Sequence, residues 1–316
     1  MKAVLVTGAA GYLGSQVVAA LAARGDVATV ALDVREPAER LPGVAYELSD
    51  IRAPELDAII ARHAPDVVVH LASIVTPGKN SSRAFEYSVD VGGTHNLLEA
   101  CVRHGVGRLI VSSSGAAYGY HPDNPAWLTE SDPLRGNQSF AYSWHKRLVE
   151  EMLADYRSRH PSLQQIVLRI GTILGATVHN QITDLFEKPR LIAIRGSDSP
   201  FVFIHDRDVV GAIVHGIDSA ATGIYNVAGD GALGIHEIAA RLDKRCVALP
   251  AGLLYAALWL LKRLRLTQYG PEQLDFLRYR PVLDNRRLKE AFGYTPRLNS
   301  AEVFELYRDS RRRVGR

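Results

Sequence analysis

The stretch FAYSWHKR, Phe140 to Arg147, sets Tyr142 and Lys146 four residues apart. On a helix that spacing stacks both side chains on one face. A free phenol titrates near about 10, poorly matched to proton transfer near neutrality. An ammonium close by favours the phenolate and lowers that value. The pair can therefore take a proton from a substrate hydroxyl or return one. The same spacing also describes a surface tyrosine beside a solvated lysine, so its meaning depends on the rest of the chain.

A second chemical pattern opens the sequence. VLVTGAAGYLGSQVV places Gly8, Gly11 and Gly14 between an apolar run and a helical one. Small residues there let the backbone approach a pyrophosphate, and the helix N-terminus offers N–H groups and a positive dipole end. The next apolar run ends in Asp33, which can accept both ribose hydroxyls of an adenosine and repels a 2′-phosphate. The two together indicate NAD rather than NADP, although Arg35, two residues on, offers a site for that phosphate.

The elements that must position these groups follow from the hydrophobic pattern. AVLVTG, VATVALD, DVVVHLAS, RLIVSSS and QQIVLRIG read as strands. GSQVVAALAARG, LDAIIARHAP, GGTHNLLEACVRHG and AYSWHKRLVEEMLADYRSRHP read as the helices between them, closed by Gly25, Gly105 and Pro161. Strands that are apolar throughout and alternate with helices indicate a parallel sheet covered on both faces. After Gly171 the rhythm changes. FVFIHD and GIYNVAG, flanking a helical DVVGAIVHGID, look like further sheet elements of the first domain. Residues 1–171 with about 201–229 are thus expected to form a cofactor domain. Residues of about 172–200 and 230–316 form a smaller, discontinuous substrate lobe, with a cleft between the two.

With these pieces placed, the chain resembles the extended short-chain dehydrogenase/reductase family, in its NAD-dependent epimerase/dehydratase group. The resemblance rests on TGAAGYLG, LSDIR, HLAS, GGTHNLLEAC, VSSSGAAYG and YSWHK, in that order. It implies an α/β fold with a Rossmann-type doubly wound parallel sheet and NAD as cofactor. It implies that Gly8, Ala10, Gly11, Tyr12, Leu13, Gly14, Asp33, Asp50, Ile51, Leu71, Ala72, Ser73 and Ser112 bind that cofactor, together with Tyr142 and Lys146. Tyr142 becomes the general base or acid, Lys146 its electrostatic partner and a ribose ligand, and Ser114 the hydroxyl that holds the reacting oxygen. Family members commonly pair two helices per subunit, so a homodimer through Thr94–His104 and Tyr142–Arg159 is expected.

Departures from the family pattern are equally informative. Asp90 stands where Asn usually precedes the Gly-Thr helix, which puts a structural hydrogen bond in question. Gly115 and Ala116 follow Ser114 in place of the Asp-Glu pair of a 4,6-dehydratase, so water elimination is not expected. Thr172 takes the usual Asn place in LRIGTILG. Phe201 occupies the position of the arginine that clamps the diphosphate in nucleotide-sugar members. Arg169, Arg190, Arg195 and Arg207 are candidate substitutes, and Thr172, Phe201 and Ser114 are candidate substrate contacts.

Composition narrows the classes further. The chain has 316 residues, 47% hydrophobic and 22% charged, an ordinary soluble globular balance. A formal charge of +3 argues for no nucleic-acid partner, and the basic C-terminal RDSRRRVGR reads as a solvated tail. Cys101 and Cys246 lack a metal-type spacing and suit a reducing compartment. With no signal-peptide layout at MKAVLVTGAAG, a cytoplasmic location is expected. The longest apolar run, Ala251 to Leu261, is 11 residues, short of the roughly 20 a membrane span needs. PAGLLYAALWLLKRLRL reads as a buried helix of the second lobe. Its alternatives are a wall for an apolar substrate and a helix resting on a membrane surface through Lys262, Arg263 and Arg265. The reaction expected is hydride transfer at a secondary alcohol, in a UDP-hexose-type epimerase. The alternative within the same chemistry is a hydroxysteroid-like dehydrogenase or reductase. From another class, a non-catalytic NAD(H)-sensing protein would share the fold, though it would have no need of the Tyr/Lys pair.

Overall fold

The computed structural model describes residues 1–78, 81–264, 270 and 273–314. Arg265 and the last two residues of the basic tail, named above, lie outside them. The apolar runs become strands of one parallel sheet. In chain order the strands are β1 (Lys2–Thr7), β2 (Val27–Asp33), β3 (Val44–Leu48), β4 (Val67–His70), β5 (Arg108–Ser114) and β6 (Gln164–Ile170). Then follow β7 (Thr172–Leu174), β8 (Arg190–Ile194), β9 (Phe203–His205), β10 (Gly223–Val227) and β11 (Arg245–Leu249). The helices are α1 (Tyr12–Arg24), α2 (Glu55–His63), α3 (Arg83–Tyr87), α4 (Thr94–Arg103), α5 (Ala141–Arg159), α6 (Gln181–Glu187) and α7 (Asp206–Asp218). Beyond them come α8 (Ile235–Arg241), α9 (Ala251–Arg263), α10 (Gln273–Arg278), α11 (Arg286–Glu290) and α12 (Ser300–Val314).

The main sheet has seven strands in the order β10-β6-β5-β4-β1-β2-β3, all parallel. The chain winds outward from β1 to β3, returns to β4 on the other side of β1, and winds outward again. That reversal opens a crevice at the carboxyl ends of β1 and β4, where doubly wound folds bind ligands. Both faces are covered. One core gathers Val17, Val18 and Leu21 of α1 with Ala212, Ile213 and Ile217 of α7 against the sheet. The other gathers Leu56 and Ile60 of α2, Leu97 and Leu98 of α4, and Val149 and Leu153 of α5.

Three features differ from the sequence reading. VAYEL forms an edge strand, β3, whose alternation of exposed and half-buried residues leaves little strand signal. FVFIHD supplies β9, which pairs with β7 in a separate two-stranded sheet, whereas β10 joins the main one. A third core holds Leu174, Phe186, Leu191, Ile238, Phe304 and Tyr307, and it also takes Phe201 and Phe203. The expected burial of α9 is overturned: no residue of that helix is buried. No helix among the described residues is long and apolar enough to cross a membrane.

Candidate active site

The β1–α1 turn is built so that only glycine fits. Gly8 has φ +69°, and a Cβ there would lie 2.7 Å from the Ala72 backbone nitrogen. A Cβ on Gly14 would lie 2.0 Å from the Gly8 carbonyl oxygen. The turn is therefore pressed against the end of β4, and α1 begins over bare backbone. Gly8, Gly11, Tyr12, Leu13 and Gly14 line one end of a cleft of about 380 Å³. This cradle, with an acid at the end of β2, fits the pyrophosphate and ribose of NAD. Asp33 accepts the Ala10 N–H at 3.0 Å and the Arg35 N–H at 3.0 Å. Those bonds fix the carboxylate beside the turn and carry its charge. The Tyr12 hydroxyl donates to Asp206 at 2.5 Å, which ties the turn to α7. Burial and that bond push its pKa up to about 12.

Leu71 and Ser73, after β4, line the same cleft, and Ala72 lies beneath Gly8. Asp50 and Ile51 do not line it. The Asp50 carboxylate is paired with Arg52 at 2.6 Å, and Ile51 is buried against Gly93. Asp90 replaces the doubtful hydrogen bond with several. It accepts the Ile74 N–H at 2.8 Å and the Ser73 hydroxyl at 3.0 Å, and meets His145 Nδ1 at 3.0 Å. Burial opposes its charge, yet His145 and the Lys146 ammonium hold it below the usual carboxylate range. His70 sits between the hydroxyls of Thr7 and Thr94 at 2.7 and 2.9 Å. Full burial and the Lys146 charge lower its pKa to about 3, so this imidazole stays neutral.

The residues expected to handle the proton converge from β5 and α5. Three buried anchors fix the rotation of α5. The Ser143 hydroxyl donates to the Ala116 carbonyl at 2.7 Å, His145 meets Asp90, and Glu150 pairs with Arg169 at 2.7 Å. Tyr142 and Lys146 are thereby turned toward the cleft, which both line. Lys146 Nζ donates to the Ser112 carbonyl at 2.9 Å and stands 5.6 Å from the centre of the Tyr142 ring. Ser114 ends β5, and its Oγ accepts the Ala116 N–H at 3.1 Å. That bond uses a lone pair, so the hydroxyl proton remains available to an oxygen in the cleft.

The far end of the cleft is formed by β7, the segment before β9, and α10 with the loop after it. Thr172 and Phe201 line it, with Tyr120, Phe140 and Phe276. None of the four candidate arginines does. Arg169 is buried on Glu150 and Tyr118, and Arg190, Arg195 and Arg207 are exposed elsewhere. The cation at this end of the cleft is Arg280, which sequence reasoning missed. Its guanidinium lies 3.6 Å from the centre of the Phe201 ring, so the residue in the arginine position serves as a platform for an arginine from elsewhere. Nη1 donates to the Ser199 carbonyl at 2.9 Å, and Nε is buried with no partner. No carboxylate among the described residues pairs with it, and burial lowers its pKa from the ordinary value. LRYRP carries no motif for this role; only its setting in the fold reveals it.

The model of the NAD dependent epimerase/dehydratase family matches residues 4–228 of this chain. An uncharacterized protein of Mycobacterium tuberculosis is 26% identical over 97% of this chain and 83% of its own length. UDP-glucose 4-epimerase of Yersinia pestis is 36% identical, over 55% of this chain and 54% of that enzyme. The structure of the Thermus thermophilus UDP-glucose 4-epimerase, a complex with NAD, is similar with a TM-score of 0.74 at 25% identity. That likeness covers 98% of this chain and 99% of the other.

Proposed function

This chain belongs to the NAD-dependent epimerase/dehydratase family and is an NAD-dependent enzyme, and we propose that it epimerises the sugar of a UDP-hexose-type nucleotide. NAD supplies the acceptor, and later the donor, of the hydride at the carbinol carbon. The residues proposed to hold it are Gly8, Ala10, Gly11, Tyr12, Leu13, Gly14, Asp33, Leu71, Ala72, Ser73 and Ser112, with Asp50 and Ile51 toward the adenine. Tyr142 takes the proton of the reacting hydroxyl as the carbon is oxidised and returns it on reduction. The Lys146 ammonium is fixed on the Ser112 carbonyl and sets a positive charge 5.6 Å from the centre of the Tyr142 ring. Ser114 donates its hydroxyl to the reacting oxygen and keeps it facing Tyr142.

The observation that carries the nucleotide-sugar reading is Arg280. A guanidinium that no carboxylate among the described residues pairs with shares one cleft with the proposed proton-handling trio. A substrate with a secondary hydroxyl at one end and a diphosphate at the other meets both demands. A second reading, a dehydrogenase or reductase of an apolar hydroxysteroid-like substrate, draws on Phe140, Phe276 and Leu283 in the same wall. Arg280 favours the first. A charge-assisted hydrogen bond contributes about 1.5–3 kcal/mol, so Arg280→Gln should raise KM for a UDP-hexose by about 10- to 150-fold. Unchanged KM on a turned-over UDP-hexose would remove the basis for this reading, and turnover of hydroxysteroids alone would favour the second.

A further inference from the structure

The apolar segment before the C-terminus is a helix whose side chains meet solvent. Leu253, Tyr255, Trp259, Leu260, Leu261 and Leu264 are between 40% and 58% exposed. They surround α9 rather than forming one stripe for the lobe beneath. Its 13 residues reach about 20 Å, too short for a hydrocarbon core of about 30 Å. The helix carries no acidic residue and ends in Lys262 and Arg263, with the Arg263 guanidinium 5.6 Å from the centre of the Trp259 ring. Aliphatic and aromatic side chains flanked by cations complement a bilayer with anionic headgroups. A second copy of the helix would bring no acid to those cations.

We propose that α9 docks this protein on an anionic bilayer surface, lying in the interfacial plane with Arg263 at the headgroup phosphates. Gly252 and Tyr255 border a surface depression with Ser139 and Leu274, and Phe140, next to Ser139, lines the cleft. Docking would therefore bring the substrate end close to the membrane surface. The inference does not rest on the proposed reaction, since vesicle binding is read without substrate.

The test uses the full chain with vesicles of phosphatidylcholine alone or with phosphatidylglycerol added. Co-sedimentation should be strong only with the anionic vesicles and should weaken with added salt. Arg263→Glu should weaken it by at least about fivefold. Leu253→Glu combined with Leu260→Glu should abolish it at an unchanged melting temperature, since both side chains are exposed. Trp259 emission, taken as the difference from Trp259→Phe, should shift to the blue on the anionic vesicles. That reading decides the matter even if the double variant does not fold. No binding to either vesicle, no shift, or undiminished binding by a folded double variant overturns the proposal. So does light scattering in which the double variant, without lipid, falls to half the mass, because a second copy then covers α9.

Discussion

Replacing Tyr142 by Phe removes one oxygen and little else. The side chain is half-buried, and its contacts run through the ring: Phe140 at 6.5 Å between centres and the Lys146 ammonium at 5.6 Å. Among the described residues the hydroxyl has no hydrogen-bond partner to leave unsatisfied. The three anchors of α5, at Ser143, His145 and Glu150, are untouched. Stability should therefore change by no more than about 0.5 kcal/mol, and NAD affinity should stay within about twofold, a change of about 0.4 kcal/mol. The reaction loses its proton acceptor. General acid–base catalysis contributes about 10²- to 10⁴-fold, so kcat should fall by that factor, about 2.7–5.4 kcal/mol in barrier. Lys146→Ala makes the contrast: with the ammonium and its proposed ribose contact both gone, rate and NAD affinity should fall together. The assays are turnover on a confirmed substrate, NAD titration calorimetry and thermal melting, run on the same preparations. If Tyr142→Phe keeps full turnover, or loses it only with a collapse in stability, the assignment of proton transfer to Tyr142 is wrong.

Asp33→Ala should narrow a preference for NAD over NADP that we expect to be at least about tenfold, about 1.4 kcal/mol. Calorimetry that finds equal affinities in the parent protein contradicts the role given to that carboxylate. Asp90 is held below its ordinary value of 3.8, so its contribution to stability is complete above that pH and is lost as pH falls through the folded value. Asp90→Asn keeps an acceptor for Ile74 and Ser73 but removes the titration. Melting temperature against pH should lose part of its acid limb in this variant, and identical limbs would show that the carboxylate is not what titrates. For assembly, we propose an isologous homodimer through α4 and α5, as the family resemblance suggests. A monomer mass by light scattering at micromolar concentration counts against it.

How much of this was legible in the chain depends on how local each signal is. The glycine turn was readable because the steric demand falls on Gly8 and Gly14 themselves, and the sequence there permits nothing larger. The meeting of Tyr142, Lys146 and Ser114 in one cleft was readable because two short motifs sit at the ends of unmistakable elements, β5 and α5. Asp90 was read as the loss of a hydrogen bond, since its partner His145 lies 55 residues away. Arg280 was missed because its role comes from a loop folded back onto Phe201, 79 residues distant, and no periodicity encodes such a return. The exposure of α9 was misread for a related reason. A helix apolar on all sides signals burial, and the sequence does not say whether protein or something else covers it. β3 escaped notice because an edge strand half in solvent keeps only part of the apolar pattern.

The most direct measurement is proton NMR of UDP-glucose incubated with the purified enzyme and a substoichiometric amount of NAD, with absorbance at 340 nm followed in parallel. Epimerisation at a sugar carbon through Tyr142, Lys146 and Ser114 should produce a second UDP-hexose and approach an equilibrium mixture. The absorbance should not rise with product, because each hydride taken is returned. Product that accumulates only in step with reduced cofactor, or UDP-hexoses that remain unchanged while an apolar alcohol is oxidised, would contradict it.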